Sequence, residues 1–154
     1  MRIILTLIMF FSFFCSAGAQ QLKEPVVKWA DYTSYATAFA DAGVSTILAY
    51  KSNDRKCNLI KLGIKEAIGN GSALVIKHFI PSPRPCIGCS NDGMPSEHTD
   101  NGFIGSDWRL GLAFGITTGV LRHTANRHTW KQVIAGAGVG IGTDLIGSLM
   151  KCSS

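Results

Sequence analysis

A set of side chains in the second half of the sequence has types and spacings suited to holding an anion and working on it. Six residues separate Lys77 from Arg84-Pro85. Pro95-Ser96-Glu97-His98 follows the Gly93-Met94 turn, five residues separate Arg122 from His128, and Gln132 follows His128 by four. Arginine grips oxyanions bidentately and lysine as a point charge. Histidine is the side chain that titrates nearest neutral pH. On a helix, positions i and i+4 share a face. Gln132 is therefore expected to reach Nδ1 of His128 and leave Nε2 free.

These residues need elements to bring them together. Residues 29–50 and 57–79 read as helices, the second broken at Gly69-Asn70-Gly71, where one helix is expected to end and another to start. Residues 81–96 hold four of the five prolines and two glycines, so they read as a loop. Residues 102–121 and 132–150 are two further apolar runs, and little of the chain alternates with the period of a strand. The expected fold is all-α, a compact helical bundle with its site at one end, built from the proline-rich loop and two helices. Gly136, Gly138, Gly140 and Gly142 do not form a dinucleotide-binding fingerprint, and close helix packing explains them better.

The three blocks, in this order, resemble the signature of the type 2 phosphatidic acid phosphatase superfamily, which includes bacterial acid phosphatases and vanadium haloperoxidases. That signature reads Lys-x6-Arg-Pro, Pro-Ser-Gly-His, and Arg-x5-His-x3-Asp. Lys77 and Arg84-Pro85 match the first block in full. Pro95, Ser96 and His98 match the second, with Glu97 in place of glycine. Arg122 and His128 match the third, with Gln132 in place of aspartate. The resemblance implies a metal-independent and cofactor-free phosphatase. His128 would attack phosphorus and form a phosphohistidine. His98 would protonate the leaving oxygen and later help a water attack. Lys77, Arg84, Ser96, Glu97 and Arg122 would surround the phosphate. Guanidinium groups neutralise the non-bridging oxygens of phosphoryl transfer, so the carry-over has independent physical sense. A haloperoxidase is disfavoured, because such enzymes are far larger than this chain.

The two departures bear on activity. Glu97 puts a carboxylate where glycine would let backbone approach an anion. Gln132 accepts a hydrogen bond but carries no charge, so the expectation is an oriented, less nucleophilic His128 whose turnover would rise about fivefold with aspartate at 132, the alternative being a site rebuilt around Glu97 in which the same change lowers turnover. The alternative function is a catalytically weak or inactive relative that binds phosphate or phospholipid. His78, His123 and Arg127 fall outside the matched positions and read as flanking groups, with Arg127 available to a second anionic group.

The chain has 154 residues, enough for one domain, and a formal charge of +5, which suits an anionic substrate or membrane surface. No nucleic-acid partner is expected. Arg2, the apolar stretch 3–14 and Ala17-Gly18-Ala19 read as a signal peptide over residues 1–19, leaving a domain over 20–154. An uncleaved signal anchor is the competing reading. Export to the periplasm follows, with inner-membrane association open. Cys57, Cys86, Cys89 and Cys152 then suit two disulfides, Cys86–Cys89 and Cys57–Cys152 being the preferred pairing. Charges at Asp107, Arg109 and Asp144 interrupt the late apolar runs, so a soluble bundle is the first reading, with peripheral or integral membrane association as the alternative. The substrate class is a phosphate-bearing small molecule or lipid.

Overall fold

The computed structural model describes residues 24–86, 88–105 and 107–152. The expected signal peptide, residues 1–19, lies outside them. Five helices and no strand occur among the described residues: α1 Glu24–Lys51, α2 Arg55–Phe79, α3 Glu97–Phe103, α4 Trp108–Thr124 and α5 Trp130–Leu149. The all-α expectation holds.

The short α3 sits in the middle and packs against all four long helices. Its neighbours are trimmed to admit it. A Cβ at Gly136 would collide with the Ser96 carbonyl, and one at Gly140 with the Asp100 carbonyl. That bears out the packing reading for these two glycines, whereas Gly138 and Gly142 face open space. The interior is accordingly built from small and polar groups. Ala30, Ala49 and Ala73 are buried, as are Ser34, Ser45, Thr99, Thr118 and Thr143.

Two sequence expectations about helix limits fail. α2 runs unbroken through Gly69-Asn70-Gly71. Gly69 serves close approach instead of termination, since a Cβ there would strike Ile104 of the α3 exit. The apolar run 102–121 is divided between α3 and α4, because Asp107 caps α4 by accepting from the amides of Arg109 at 2.8 Å and Leu110 at 3.4 Å.

Both expected disulfides are present, and they lie at opposite ends of the bundle. Cys57–Cys152 ties the start of α2 to the C-terminal segment across 95 residues. A crosslink closing a loop of that length stabilises by about 4–5 kcal/mol in the chain-entropy account. Cys86–Cys89 closes the tip of the loop between α2 and α3. The same loop is pinned at its base, where Ser82 N–H donates to Asn91 O and Gly93 N–H to Ser82 O, both at 2.8 Å.

The outside of the bundle is unusually apolar. Trp29, Phe39, Phe79 and Leu149 are each more than 70% exposed. Among the described residues α5 alone is long and apolar enough to cross a membrane, with mean hydropathy 1.3 and a third of its span buried.

Candidate active site

The C-terminal end of α2, the loop over residues 80–96, the start of α3, the end of α4 and the start of α5 meet at one end of the bundle. Lys77, Arg84, Ser96, Glu97, His98, Arg122, His128 and Gln132 are carried there by those elements. The electrostatic neighbourhood is shared: His98 feels Arg122, Glu97, Lys77 and Arg84, and His128 feels Arg122, Arg84 and His98.

His128 is 2% exposed and sits in the turn between α4 and α5. Two amides fold that turn back onto one carbonyl: Arg127 N–H and His128 N–H both donate to Arg122 O, at 3.0 and 3.3 Å. Asn126, at φ 53, supplies the left-handed residue that reverses the chain, a conformation asparagine tolerates. His128 and Arg122 are thus joined through their own backbone.

The partner of the His128 ring differs from the expected one. Its Nδ1 lies 3.0 Å from the carbonyl oxygen of Gly93, which fixes Nδ1 as the N–H donor and leaves Nε2 free. Gln132 does not hold the ring. Thr129 is the N-cap of α5, with extended backbone, so His128 precedes the helix and the i, i+4 rule does not reach it. Gln132 instead completes a capping box: its Oε1 accepts from Thr129 N–H at 2.9 Å, and Thr129 Oγ1 accepts from Gln132 N–H. Its Nε2 donates to Ser82 Oγ and Pro83 O, each at 2.9 Å. The side chain clamps the proline-rich loop onto α5, and a Cβ at Gly93 would collide with it. Gln132 therefore acts one step away, by placing the Gly93 carbonyl.

Four cations of this end of the bundle have carboxylate partners. Lys77 pairs with Glu97, and Arg84 grips Asp92 through Nε and Nη2 at 3.0 and 3.1 Å. Arg122, 2% exposed, donates from Nη1 to Asp31 Oδ1 at 2.9 Å and lies within 3.4 Å of Ser34 Oγ. Its Nε is buried with no hydrogen-bond partner among the described residues. Arg127 is held by the other oxygen of Asp31 at 2.7 Å. Ser96 is fully buried, its Oγ accepting from Thr99 Oγ1 at 2.9 Å while its amide donates to Gln132 O. A carboxylate here would repel phosphate if unpaired, but Glu97 is neutralised by Lys77, at the expense of that lysine's charge.

Both histidines are far from the expected ordinary value of 6.5. Burial, then Arg122, pushes His98 down to about 4, with Glu97 opposing. Burial, then Arg122 and Arg84, pushes His128 down to about 3, with the Gly93 carbonyl opposing. Both rings are neutral at pH 7. That suits a nucleophile and leaves a general acid in need of a proton.

Two acids behind the site titrate the opposite way. Asp41 and Asp100 are buried, their carboxyl oxygens without partners among the described residues. Burial, helped by Glu66, raises both from 3.8 to about 7. Each then binds a proton on folding between those values, so its contribution to stability falls as pH rises from about 4 to 7. The histidines release protons on folding, so theirs falls as pH drops below about 6.5. In the shared window the two trends oppose each other. Asp100→Asn removes one side of that balance. Its melting temperature relative to wild type should be more favourable at pH 8 than at pH 5. An equal difference at the two pH values would show that Asp100 is ionised in the folded chain.

Sequence reasoning missed Asp31, Tyr35, Asp92 and Gly93. The Arg122 guanidinium lies over the Tyr35 ring, 5.3 Å from its centroid, and that ring meets His98 edge-on with centroids 4.7 Å apart. Asp31 and Tyr35 belong to α1, distant from every matched block, and no local pattern marks them. The Thr129-x-x-Gln132 capping box, by contrast, was readable.

No family model matches the chain, and no solved structure does. The chain is similar to dolichyldiphosphatase 1 of Mus musculus, 28% identical over 141 residues. The match covers 71% of this chain and 58% of the relative's length.

Proposed function

We propose that the chain is an exported phosphatase that hydrolyses a phosphomonoester or a lipid phosphate or diphosphate through a phosphohistidine at His128. The observation that carries this is the presence at one site of His128, whose Nδ1 is held by Gly93 O, and Arg122, whose buried Nε donor has no partner among the described residues. A buried donor of that kind costs free energy until an anion satisfies it.

In the reaction, Nε2 of His128 attacks phosphorus, the bond to the leaving oxygen breaks, and His98 gives that oxygen a proton. The anionic substrate offsets the Arg122 charge that holds His98 down, so binding itself helps protonate the ring. Water then attacks the phosphohistidine, His98 takes its proton, and phosphate leaves with His128 neutral again. The likeness to a dolichyldiphosphatase favours a lipid substrate. So does a cleft of about 360 Å³ that opens beside His98 between α1 and α2, with Tyr35, Ala38, Phe39 and Leu62 in its wall.

Disulfides at both ends of the bundle support an oxidising compartment for the whole domain, and hence the periplasm. With both ends on one side, the exposed apolar groups favour contact with the membrane surface over crossing it. The second reading is a weak or inactive phosphate-binding relative, favoured by the carboxylates already seated on Lys77, Arg84 and Arg122.

Phosphate release by the purified chain, from a polyprenyl diphosphate in detergent and from a soluble chromogenic phosphomonoester, tests the proposal. Turnover of the lipid substrate at the higher kcat/KM is expected. Binding of phosphate without release from either substrate would establish the second reading.

A further inference from the structure

We propose that Asp31 and Tyr35, one turn apart on α1, are positioning residues of the phosphate site, Asp31 aiming Arg122 and Tyr35 aiming His98. This rests on the reading of the site as a phosphatase.

One carboxylate spans two arginines here. Asp31 Oδ1 takes Nη1 of Arg122 at 2.9 Å and Oδ2 takes Nη2 of Arg127 at 2.7 Å. Arg122 belongs to α4 and Arg127 to the following turn, so the bridge also sets the stem on which His128 is carried. A guanidinium is planar, so holding one nitrogen and the plane decides where its remaining donors point. Asp31 and Ser34 hold Nη1, and the Tyr35 ring lies over the guanidinium at 5.3 Å. Of the remaining donors, Nε is buried and without a hydrogen-bond partner among the described residues, and it is the one available to a phosphoryl oxygen. The same tyrosine meets His98 edge-on, at 4.7 Å and 88°. Tyr35 thus touches both the anion-holding arginine and the ring assigned to the leaving oxygen, from a helix outside the three matched blocks.

Asp31 has two opposed effects on an incoming anion. Its charge weakens Arg122 as a partner, and its hydrogen bond fixes Arg122 in place. Positioning dominates when the arginine is buried, because a guanidinium freed there has no solvent to order it and many wrong geometries. A purely structural staple between α1 and the α4–α5 turn would change stability and leave anion affinity alone.

Orthovanadate binding by calorimetry separates these cases, measured on the full chain well below its melting temperature. Asp31→Ala should weaken vanadate affinity about tenfold or more and raise KM to match. Asp31→Asn, which keeps an acceptor for Arg122, should recover most of that loss. Tyr35→Leu should lower kcat and shift the limb of its pH profile that belongs to His98, and Tyr35→Phe should leave that limb in place. Vanadate affinity in Asp31→Ala equal to or tighter than wild type overturns the role of Asp31. An unchanged pH profile in Tyr35→Leu overturns that of Tyr35. A wild-type chain that binds no vanadate overturns the phosphatase reading itself, and the proposal with it. Binding without turnover leaves the vanadate arm decisive.

Discussion

His128→Ala is expected to lower turnover by about a thousandfold or more while orthovanadate affinity stays within about threefold of wild type. The asymmetry follows from how the site divides its work. In the proposed reaction the anion would be held by Arg84, Arg122 and Lys77, none of which uses the His128 ring as a hydrogen-bond partner. The bond-making atom of that reaction would be Nε2 alone, and the ring is neutral because burial and two arginines keep it so. Alanine removes the nucleophile and leaves the cations where they are. The fold should tolerate the change, since the turn is set by backbone amides on the Arg122 carbonyl and not by the imidazole. Arg84→Ala should behave differently, weakening vanadate and turnover together, because its guanidinium is part of the cradle. Steady-state kinetics paired with vanadate titration read both variants. Wild-type turnover in His128→Ala would remove the phosphohistidine mechanism and leave His98 as the candidate nucleophile.

Part of this architecture was legible from residue types alone. The bundle, the proline-rich loop and both disulfides follow from apolar periodicity, turn residues and the cysteine count. The eight candidate residues fell to one end of the fold because the spacing of three short blocks reports on loop ends and helix ends, which are local. Other features depend on what arrives from elsewhere in the chain. Gly69 reads as a breaker until Ile104 is known to press against it. Asp31 is an ordinary acid on a long helix until Arg122 and Arg127 close on it from about 90 residues away. The depressed histidines could not be foreseen, because burial and the count of nearby cations are properties of the folded site. Asp92 lies eight residues beyond Arg84, yet only the hairpin-like closure of the loop on Ser82 turns the two to face each other.

The position where reasoning by spacing went furthest astray also makes the sharpest prediction. With aspartate in the parent pattern, Gln132→Asp looks like a repair that should speed the reaction. In the structure it should do the reverse, lowering both melting temperature and turnover. Gln132 is 1% exposed, and its amide donates two hydrogen bonds, to Ser82 Oγ and Pro83 O. Aspartate has no donor and a shorter reach. Pro83 O would lose its partner, and a buried carboxylate would stand near it. Each unsatisfied buried group costs about 1–3 kcal/mol, so a loss of about 3 kcal/mol is the scale. The capping contact to Thr129 N–H weakens as well, since the shorter side chain sits farther from it. Released from α5, the loop no longer presses Gly93 against the His128 ring, and the ring loses the acceptor that fixes Nδ1–H. Turnover should fall about tenfold or more, as expected when a tautomer-setting partner is lost. Gln132→Glu separates the two contributions: it keeps an acceptor of the right length for the cap and loses only the donors, so it should fall between Asp and wild type in stability. Thermal melts and steady-state kinetics of both variants decide the matter. A Gln132→Asp protein as stable as wild type and faster would mean that the 132 side chain does reach His128 during turnover, and that the Gly93 carbonyl is not what orients it.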